Sequence, residues 1–202
     1  MLNTRLSAEP ALSGITLDLG GGGIPSYKNL LTIQGKFVNM DHIEEAHPTV
    51  VGNMETTYQF ATACADTAIL FNTLEHIDGY QHVVDEMQRV LKPGGKALVY
   101  VPFIFPVHTH QTEKFLVDDY FRYFKSTLDL VFSHAGFLKV DIQSMGGLFL
   151  VVAEFLGFRI PYRVLRIPIY SFCMLFESLY RRRKPGISVQ RYPLAYFVVA
   201  WK

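Results

Sequence analysis

The 202-residue sequence is poor in cysteine and carries almost no net charge, and both features narrow the classes of protein it can be. Its two cysteines, Cys64 and Cys173, lie far apart and match neither a metal-binding spacing nor a disulfide framework. A reducing compartment is the simplest interpretation. The formal net charge is +1, so no global field attracts the chain to nucleic acid, and we expect no nucleic-acid partner.

The sequence also lacks the signals of export and membrane insertion. The first residues, MLNTRLSAEPALSG, hold no apolar core of the kind that a secretory signal needs. The apolar runs elsewhere are too short and too interrupted to cross a bilayer as a helix. We therefore expect a cytoplasmic protein.

Hydrophobic residues are abundant instead, at 50% of the chain with a mean hydropathy of +0.18. Residues 146–184 supply much of this excess, and arginines interleave with their apolar side chains before the run Arg181-Arg182-Arg183-Lys184. One interpretation is a monotopic element on the membrane surface, which would place the protein at the inner face of the membrane. The other is a helical lid or the interface of a homodimer. Both stay open at the level of sequence.

Strand and helix patterns alternate along most of the chain. Apolar strands are predicted at 15–19, 36–40, 49–51, 65–71, 96–101, 137–143 and 192–202, and helices at 27–33, 79–91 and 128–135. This alternation predicts an α/β protein with a parallel sheet that is covered on both faces. We see no internal repeat and no linker, so we expect one domain.

Four consecutive glycines follow the first predicted strand, in LDLGGGGIPS. Ligands of parallel sheets bind outside the carboxyl ends of the strands, and a helix that starts there directs free N–H groups at them. Pro25 and Ser26 occupy the third position of the two dinucleotide-binding frames, so that pattern fails. An acidic-x-Gly-x-Gly pattern fits instead, with Asp18, Gly20 and Gly22.

A second carboxylate supports a nucleoside ligand. Asp41 ends the second predicted strand, about 20 residues after the glycines, where an acidic side chain can accept both hydroxyls of a ribose. An aspartate at a strand end also serves as a simple turn residue. Together with the glycine pattern, we interpret Asp41 as a ribose ligand.

These stretches resemble, in order, the motifs of class I S-adenosylmethionine-dependent methyltransferases, in particular the type 11 group. The similar stretches are LDLGGGG, VNMD, ILFNTLEHI at 69–77, MQRVLKPGGKALVYVP at 87–102 and the closing YFVVAWK. The resemblance implies S-adenosylmethionine as cofactor. It also implies a doubly wound, Rossmann-like sheet of seven mostly parallel strands, with an antiparallel last strand after an apolar helical insert. We expect a single domain, 1–202, with its core at about 14–145 and 190–202 and the insert at about 146–185.

The resemblance assigns four residues to the methionine end of the cofactor. Gly20 and Gly22 allow the backbone to approach it, Asp18 orients its amino group directly or through a water, and Asn72 lies near the same amine. Gly21 is not required by this pattern, so we expect Gly21→Ala to be tolerated, and the fourth glycine of the run with it.

Three residues are assigned to the adenosine end. Asp41 binds the ribose, and Met40 and Asn53 flank the adenine. The family commonly has Gly-Asp where this chain has Gly52-Asn53. An asparagine still accepts a hydrogen bond but lacks the charge.

The acceptor side offers histidines in PVHTHQTE, residues 106–113. His108 or His110 is a candidate general base, which a hydroxyl acceptor requires. His76, in the Leu-Glu-His signature, is expected to support its loop. The spacing of His108, His110 and Glu113 is too unspecific for a metal site, and we predict none.

Four polar residues follow, and two interpretations of them remain open. They contact the acceptor, since carboxylates and aromatic rings suit sugar hydroxyls, or they form a helix N-terminus. The residues are Asp118, Asp119, Tyr120 and Arg122.

The resemblance thus implies a methyltransferase that acts on a small molecule or a saccharide. The segment at 118–137 is similar to members associated with glycan biosynthesis, so a lipid-linked glycan is one candidate acceptor. A methyltransferase-like scaffold without activity is the alternative. A nicotinamide dehydrogenase is disfavoured by Pro25 and by the closing strand.

Overall fold

The computed structural model describes residues 2–56, 58–108, 110–111 and 116–202, with residues 110, 111, 116, 117 and 163 described through the backbone alone. Its strands are β1 Leu12–Leu19, β2 Ile33–Asp41, β3 Val50–Val51, β4 Ala65–Phe71, β5 Leu91–Pro102, β6 His110–Gln111, β7 Leu116–Val117, β8 Lys139–Gly146 and β9 Pro193–Trp201. Its helices are α1 Leu2–Ser7, α2 Tyr80–Val90, α3 Lys125–His134, α4 Leu148–Arg159, α5 Arg163–Arg183 and α6 Ile187–Arg191. Single 3-10 turns stand at Lys28–Leu30, Glu44–Ala46 and Leu74–His76.

Seven strands form one sheet in the order β3-β2-β1-β4-β5-β9-β8. The pairs from β3 to β5 are parallel, and β9 runs antiparallel to both β5 and β8. The strands β6 and β7 form a separate antiparallel ladder. The predicted doubly wound, mostly parallel sheet with an antiparallel last strand is therefore confirmed.

Both faces of the sheet are covered, as a central parallel sheet requires. On one face, α2 buries Val83, Val84 and Met87 completely against the strands. Each such side chain contributes about 1.5–3 kcal/mol on burial. On the other face, Leu6 of α1 is fully buried in the second core cluster. The sequence analysis had no helix at α1.

The connection between β1 and β2 differs from the prediction. The helix predicted at 27–33 is a single turn, Lys28–Leu30, because β2 begins at Ile33 and pairs with β1 from Leu12 onward. Gly14 and Gly35 permit this extended pairing, since a Cβ at Gly35 would strike the carbonyl of Gly14. The glycine loop is therefore followed by one turn and not by a full helix.

The structure excludes one of the two interpretations of the polar residues before α3, namely that they form the N-terminus of a helix. Helix α3 begins at Lys125, and Phe124 stands at its N-cap. Asp118 and Asp119 lie more than one turn before that start. They do not form a helix N-terminus, and the reason for their position is described with the site below.

The apolar insert consists of α4 and α5, and it is fixed to the end of β8. Glu177 of α5 is 3% exposed and accepts the N–H of Phe149 at 3.1 Å and the Nε of Arg181 at 2.9 Å. Arg181 also donates to the carbonyl of Gly146. The insert leaves the sheet between β8 and β9, at the edge where the parallel strands end, because Pro102 of β5 pairs with Ala195 of β9.

The outer face of the insert is apolar and exposed. Among the helices of the described chain, none has the length and apolarity that a bilayer crossing requires. Helix α5 buries Cys173 and Glu177 and leaves most of its large apolar side chains in solvent. The exposed side chains of the insert include Phe155, Leu156, Phe158, Tyr162, Val164, Leu165, Ile167, Phe172, Met174, Leu175, Phe176 and Leu179.

Candidate active site

A cavity of about 600 Å³ opens at the carboxyl edge of the parallel strands. Loops that follow β1, β2, β4 and β5 form its walls, which is where a parallel sheet binds its ligands. Five of the residues predicted to bind the cofactor or to act as base line it: Gly20, Asp41, Asn53, Asn72 and His108. Every residue that lines it in the described chain lies outside the insert.

The turn after β1 requires glycine at two positions. Gly20 has φ +78° and Gly22 has φ +66°, a backbone region that side chains disfavour. A Cβ at Gly20 would lie 2.6 Å from Cγ2 of Thr73. The backbone therefore forms the cavity floor here, and a ligand can approach it without meeting a side chain.

The other two glycines are also constrained, which overturns the expectation that they tolerate alanine. A Cβ at Gly21 would collide with the buried carboxylate of Asp18 and would lie 2.7 Å from the hydroxyl of Tyr27. A Cβ at Gly23 would collide with the backbone carbonyl of Ala46. All four glycines are therefore constrained, Gly20 and Gly22 by their positive φ and Gly21 and Gly23 by close contacts.

Asn39 holds the outer half of this turn, and the sequence analysis missed it. Its amide nitrogen donates to the carbonyls of Gly22 and Gly23, and its amide oxygen accepts the N–H of Thr49 at 2.9 Å. The residue is 3% exposed. A buried amide in the otherwise apolar stretch of KFVNM was the available signal, since such a group needs partners.

Asp41 faces the same turn from the end of β2. Its Oδ2 accepts the N–H of Gly22 and its Oδ1 accepts the N–H of Ile43, both at 3.0 Å. Each carboxylate oxygen retains acceptor capacity beyond these bonds. Because Asp41 lines the cavity, those lone pairs are available to the hydroxyls of a ribose.

Asp18 lies beneath the turn and has an unsatisfied oxygen. Its Oδ1 accepts the hydroxyl of Tyr27 at 2.5 Å, while Oδ2 has no hydrogen-bond partner among the described residues. Burial raises the pKa of this carboxyl from 3.8 to about 7, with Tyr27 opposing and the charge of Asp41 adding to the shift. A buried carboxylate oxygen without a donor fits a ligand that brings a cationic amino group, as S-adenosylmethionine does.

This shift predicts a pH dependence of stability. Because the pKa of Asp18 is higher in the folded chain than in the unfolded chain, folding favours the protonated form. The free energy of unfolding should fall as the pH rises from about 4 to about 7, by a contribution on the order of 4 kcal/mol. In urea unfolding, Asp18→Asn should gain stability relative to the native chain between about pH 5 and about pH 8. If the difference in the free energy of unfolding between Asp18→Asn and the native chain were the same at both pH values, the Asp18 carboxyl would not be desolvated.

Of the remaining cofactor candidates, Asn53 and Asn72 line the cavity and Met40 does not. Met40 is 1% exposed, belongs to the hydrophobic core and does not line the cavity. Asn53 lines it, with its amide oxygen accepting the N–H of Glu55 at 2.9 Å. Asn72 follows β4 with φ +50°, and its side chain is exposed. Met54, which the sequence analysis did not select, also borders the cavity.

The opposite rim of the cavity holds a cluster of charged groups that includes His108. Its Nε2 lies 3.5 Å from Oε1 of Glu75, and the Nε2 of His76 lies 3.8 Å from the same oxygen. Beside Glu75 and Asp119, the pKa of His108 rises above its ordinary value. The side chain of His110 and all of Glu113 lie outside the described part of the chain, so the proposed roles of both remain untested.

Asp119 stabilises this rim from behind. It binds Arg122 through both oxygens and accepts the N–H of His108 at 3.0 Å. Burial opposes ionisation, but these donors lower the pKa of Asp119 to about 2. Asp118 and Tyr120 line the cavity itself. The segment before α3 therefore positions the rim.

The chain is similar in sequence and in fold to known methyltransferases. A family model for a methyltransferase domain matches residues 17–99. A comparison with curated proteins found no match in sequence. Among solved structures, a Haemonchus contortus phosphoethanolamine N-methyltransferase in complex with S-adenosyl-L-methionine is 16% identical with a TM-score of 0.61. It covers 100% of this chain, which spans only 52% of the length of that enzyme.

Two further structures match over most of their length. A chain from a complex of a Haloferax volcanii methyltransferase activator with a putative methyltransferase is 19% identical, with a TM-score of 0.63, and the match covers 99% of this chain and 88% of that one. A methyltransferase from Archaeoglobus fulgidus that depends on the same cofactor is 17% identical, with a TM-score of 0.58 and coverage of 100% and 93%. At these identities the structures establish the fold.

Proposed function

We propose that the chain is an S-adenosylmethionine-dependent methyltransferase that methylates a saccharide carried on a membrane lipid, and its domain match and its fold support this proposal. The observation that carries this proposal is the arrangement of one edge of the sheet. The cavity opens there between the glycine turn and the histidine rim, and the exposed apolar helices leave the sheet at the same edge.

The cofactor would lie along the glycine turn. Gly20 and Gly22 admit its methionine part, the unpartnered oxygen of Asp18 would receive its amino group, and Asp41 would hold its ribose. The sulfonium carries its own activated methyl group. The contribution of the chain is therefore orientation of the two reactants and exclusion of water.

The acceptor would lie against the rim. Asp118 and Tyr120 line the cavity there, and a carboxylate with an aromatic ring suits the hydroxyls and the apolar face of a sugar. A hydroxyl nucleophile must lose its proton during transfer, and Glu75 and Asp119 raise the pKa of His108, which makes its ring a stronger base. His108 is the general base that this geometry supports within the described residues.

Helix α4 of the insert lies near one wall of this cavity. Tyr100 lines the cavity, and burial together with the charges of Glu154 in α4 and of Glu75 raises its pKa to about 12. An acceptor with a lipid tail could thus lie with its polar head in the cavity and its tail along the insert.

The end of the insert presents basic side chains to anionic headgroups. Arg182, Arg183 and Lys184 are exposed there, whereas Arg181 is bound to Glu177.

We expect the intact protein to float with vesicles that contain anionic lipid. Replacing Arg182 and Arg183 with glutamate should release it, since each basic residue near such a surface contributes about 1 kcal/mol. Lys36→Glu, on an exposed position of β2 far across the sheet, should leave flotation unchanged. If the protein does not bind vesicles and light scattering gives the mass of a dimer, the apolar face of the insert would instead contact a second copy of the chain.

The acceptor class can be tested by following a radiolabelled methyl group. Purified protein and labelled S-adenosylmethionine would be incubated with lipid-linked oligosaccharides in vesicles, with free sugar phosphates, and with phosphoethanolamine, the acceptor named for the Haemonchus enzyme. The proposal expects label in the lipid-linked fraction. Label in the soluble sugars or in phosphoethanolamine would refute the lipid-linked acceptor. Absence of transfer to any of them would favour the scaffold alternative.

A further inference from the structure

Three potential ligand atoms meet at the rim: a carboxylate oxygen of Glu75 and one ring nitrogen each of His76 and His108. Glu75 is 0% exposed, and neither of its carboxylate oxygens has a hydrogen-bond partner in the described chain. Both histidines direct Nε2 toward its Oε1, at 3.8 Å for His76 and 3.5 Å for His108. A buried carboxylate with two unsatisfied oxygens is costly, so this arrangement points to a missing positive charge.

The hydrogen bond at Nδ1 of His76 sets the tautomer of its ring. Its Nδ1 lies 2.8 Å from the carbonyl oxygen of Asp118, and a carbonyl can only accept, so Nδ1 carries the proton. The Nε2 of a neutral ring then presents a lone pair toward Glu75. This is the arrangement by which a metal-binding histidine is oriented in proteins.

His108 is held in a similar way. Its Nδ1 lies 3.3 Å from Oδ2 of Asp119 and 3.4 Å from the carbonyl of Pro106, two acceptors that favour a proton on Nδ1. Arg122 also lies 3.4 Å from this nitrogen, but its guanidinium is bound to both oxygens of Asp119. The Nε2 lone pair of His108 thus converges with that of His76.

We propose that Glu75, His76 and His108 bind a divalent transition-metal ion of the zinc type. One ligand atom from each residue lies within 4.8 Å of the others, which a small ion can bridge with modest side-chain movement. Two imidazoles and one carboxylate are a known ligand set for catalytic zinc, which leaves one position for water or substrate. That open position would face the cavity, because His76 and His108 line the cavity while Glu75 is buried and does not.

The consequence for catalysis rests on the proposed function, whereas the binding of the ion does not. An acceptor hydroxyl bound to the ion would ionise at a lower pH and give its proton to water in the cavity. Its oxygen would then form the bond to the methyl carbon, and the methyl–sulfur bond would break with its electron pair returning to sulfur. With the ion bound, the lone pair of His108 is occupied, so the ion takes over the activation assigned above to that residue.

The test is metal binding by the full-length protein, independent of any acceptor. Equilibrium dialysis with Zn²⁺ should show one ion per chain, and Co²⁺ in its place should give visible absorption from a protein-bound ion. Glu75→Gln and His108→Ala should each weaken binding by at least about 100-fold, since loss of groups that merely support ligands already costs 10–100-fold. His134→Ala removes an exposed histidine at the end of α3 and should leave binding unchanged.

The outcomes separate this proposal from the proposed function. Absence of stoichiometric binding, or equal binding by all variants, would overturn the metal site and leave His108 as the general base. If circular dichroism shows that Glu75→Gln unfolds the chain, His108→Ala decides, because the His108 side chain is at the rim and 18% exposed. Binding that requires Glu75 and His108 but not His134 would support the site even if no acceptor were methylated.

Discussion

Gly20→Val is expected to abolish binding of S-adenosylhomocysteine, the product form of the cofactor. The backbone at Gly20 has φ +78°, and its Cβ would lie 2.6 Å from Cγ2 and 2.9 Å from Oγ1 of Thr73. A branched side chain would therefore strain the turn and fill the cavity floor where the cofactor should lie. By titration calorimetry we expect affinity to fall by at least about 100-fold, as for a ligand excluded by steric overlap.

Two matched glycine variants make this prediction specific. Gly21→Ala should also lose affinity, since its Cβ would collide with the Asp18 carboxylate. Gly79→Ala should bind normally, because a Cβ there meets no atom within 4 Å. If Gly20→Val retained native affinity, the turn would not contact the cofactor, and the assignment of this loop would be wrong.

Asp41→Asn is expected to weaken the same binding by about 10- to 100-fold, because hydrogen bonds to a charged group contribute about 1.5–3 kcal/mol each. The carboxylate already accepts the N–H groups of Gly22 and Ile43 with one oxygen each. An asparagine can accept with only one side-chain atom, so one loop contact is lost together with the charge that would bind the ribose hydroxyls.

The contribution of the ribose can be isolated by changing the ligand as well as the residue. We expect Asp41→Asn to reduce the affinity for S-adenosylhomocysteine more than the affinity for a dideoxy analogue that lacks both ribose hydroxyls. Asp85→Asn, on the exposed face of α2, serves as the control and should change neither affinity. An equal loss for both ligands would mean that Asp41 acts only by holding the glycine turn.

The strand-end positions of the site could be predicted from sequence because they depend on local rules. Asp18 is the last residue but one of β1, Gly20 follows that strand and Asp41 ends β2. Parallel strands bring such ends to one edge of the sheet. The tight packing of Gly23 could not be predicted in this way. It depends on the carbonyl of Ala46, which the irregular connection from β2 to β3 brings against the turn.

The rim was harder to predict because its members come from different loops. Glu75 and His76 follow β4, whereas His108 follows β5, and they meet because β4 and β5 pair in parallel from Thr67 to Phe71. The spacing of the histidines within PVHTHQTE carried no information about Glu75. A signal was present in ILFNTLEHI, where an acidic residue stands in an apolar stretch and must find a partner when it is buried.

The insert shows the same limit of local reasoning. Its apolar runs predicted helices, and α4 and α5 are helices. The anchoring of α5 through Glu177 and Arg181 depends on contacts with Phe149 and Gly146. Because of that anchor, the charge of Arg181 is paired with Glu177 inside the insert, although its side chain is 43% exposed.

The most direct test of this account is a calorimetric titration of the native protein with S-adenosylhomocysteine. The geometry of Gly20, Gly22, Asp18 and Asp41 predicts one site per chain with a dissociation constant on the order of micromolar, as is usual for enzyme ligands. It also predicts proton release on binding near neutral pH, since the cofactor ammonium would lower the raised pKa of Asp18. If no binding were detected at millimolar ligand, the account would be contradicted, and the alternative of a methyltransferase-like scaffold without activity would be favoured.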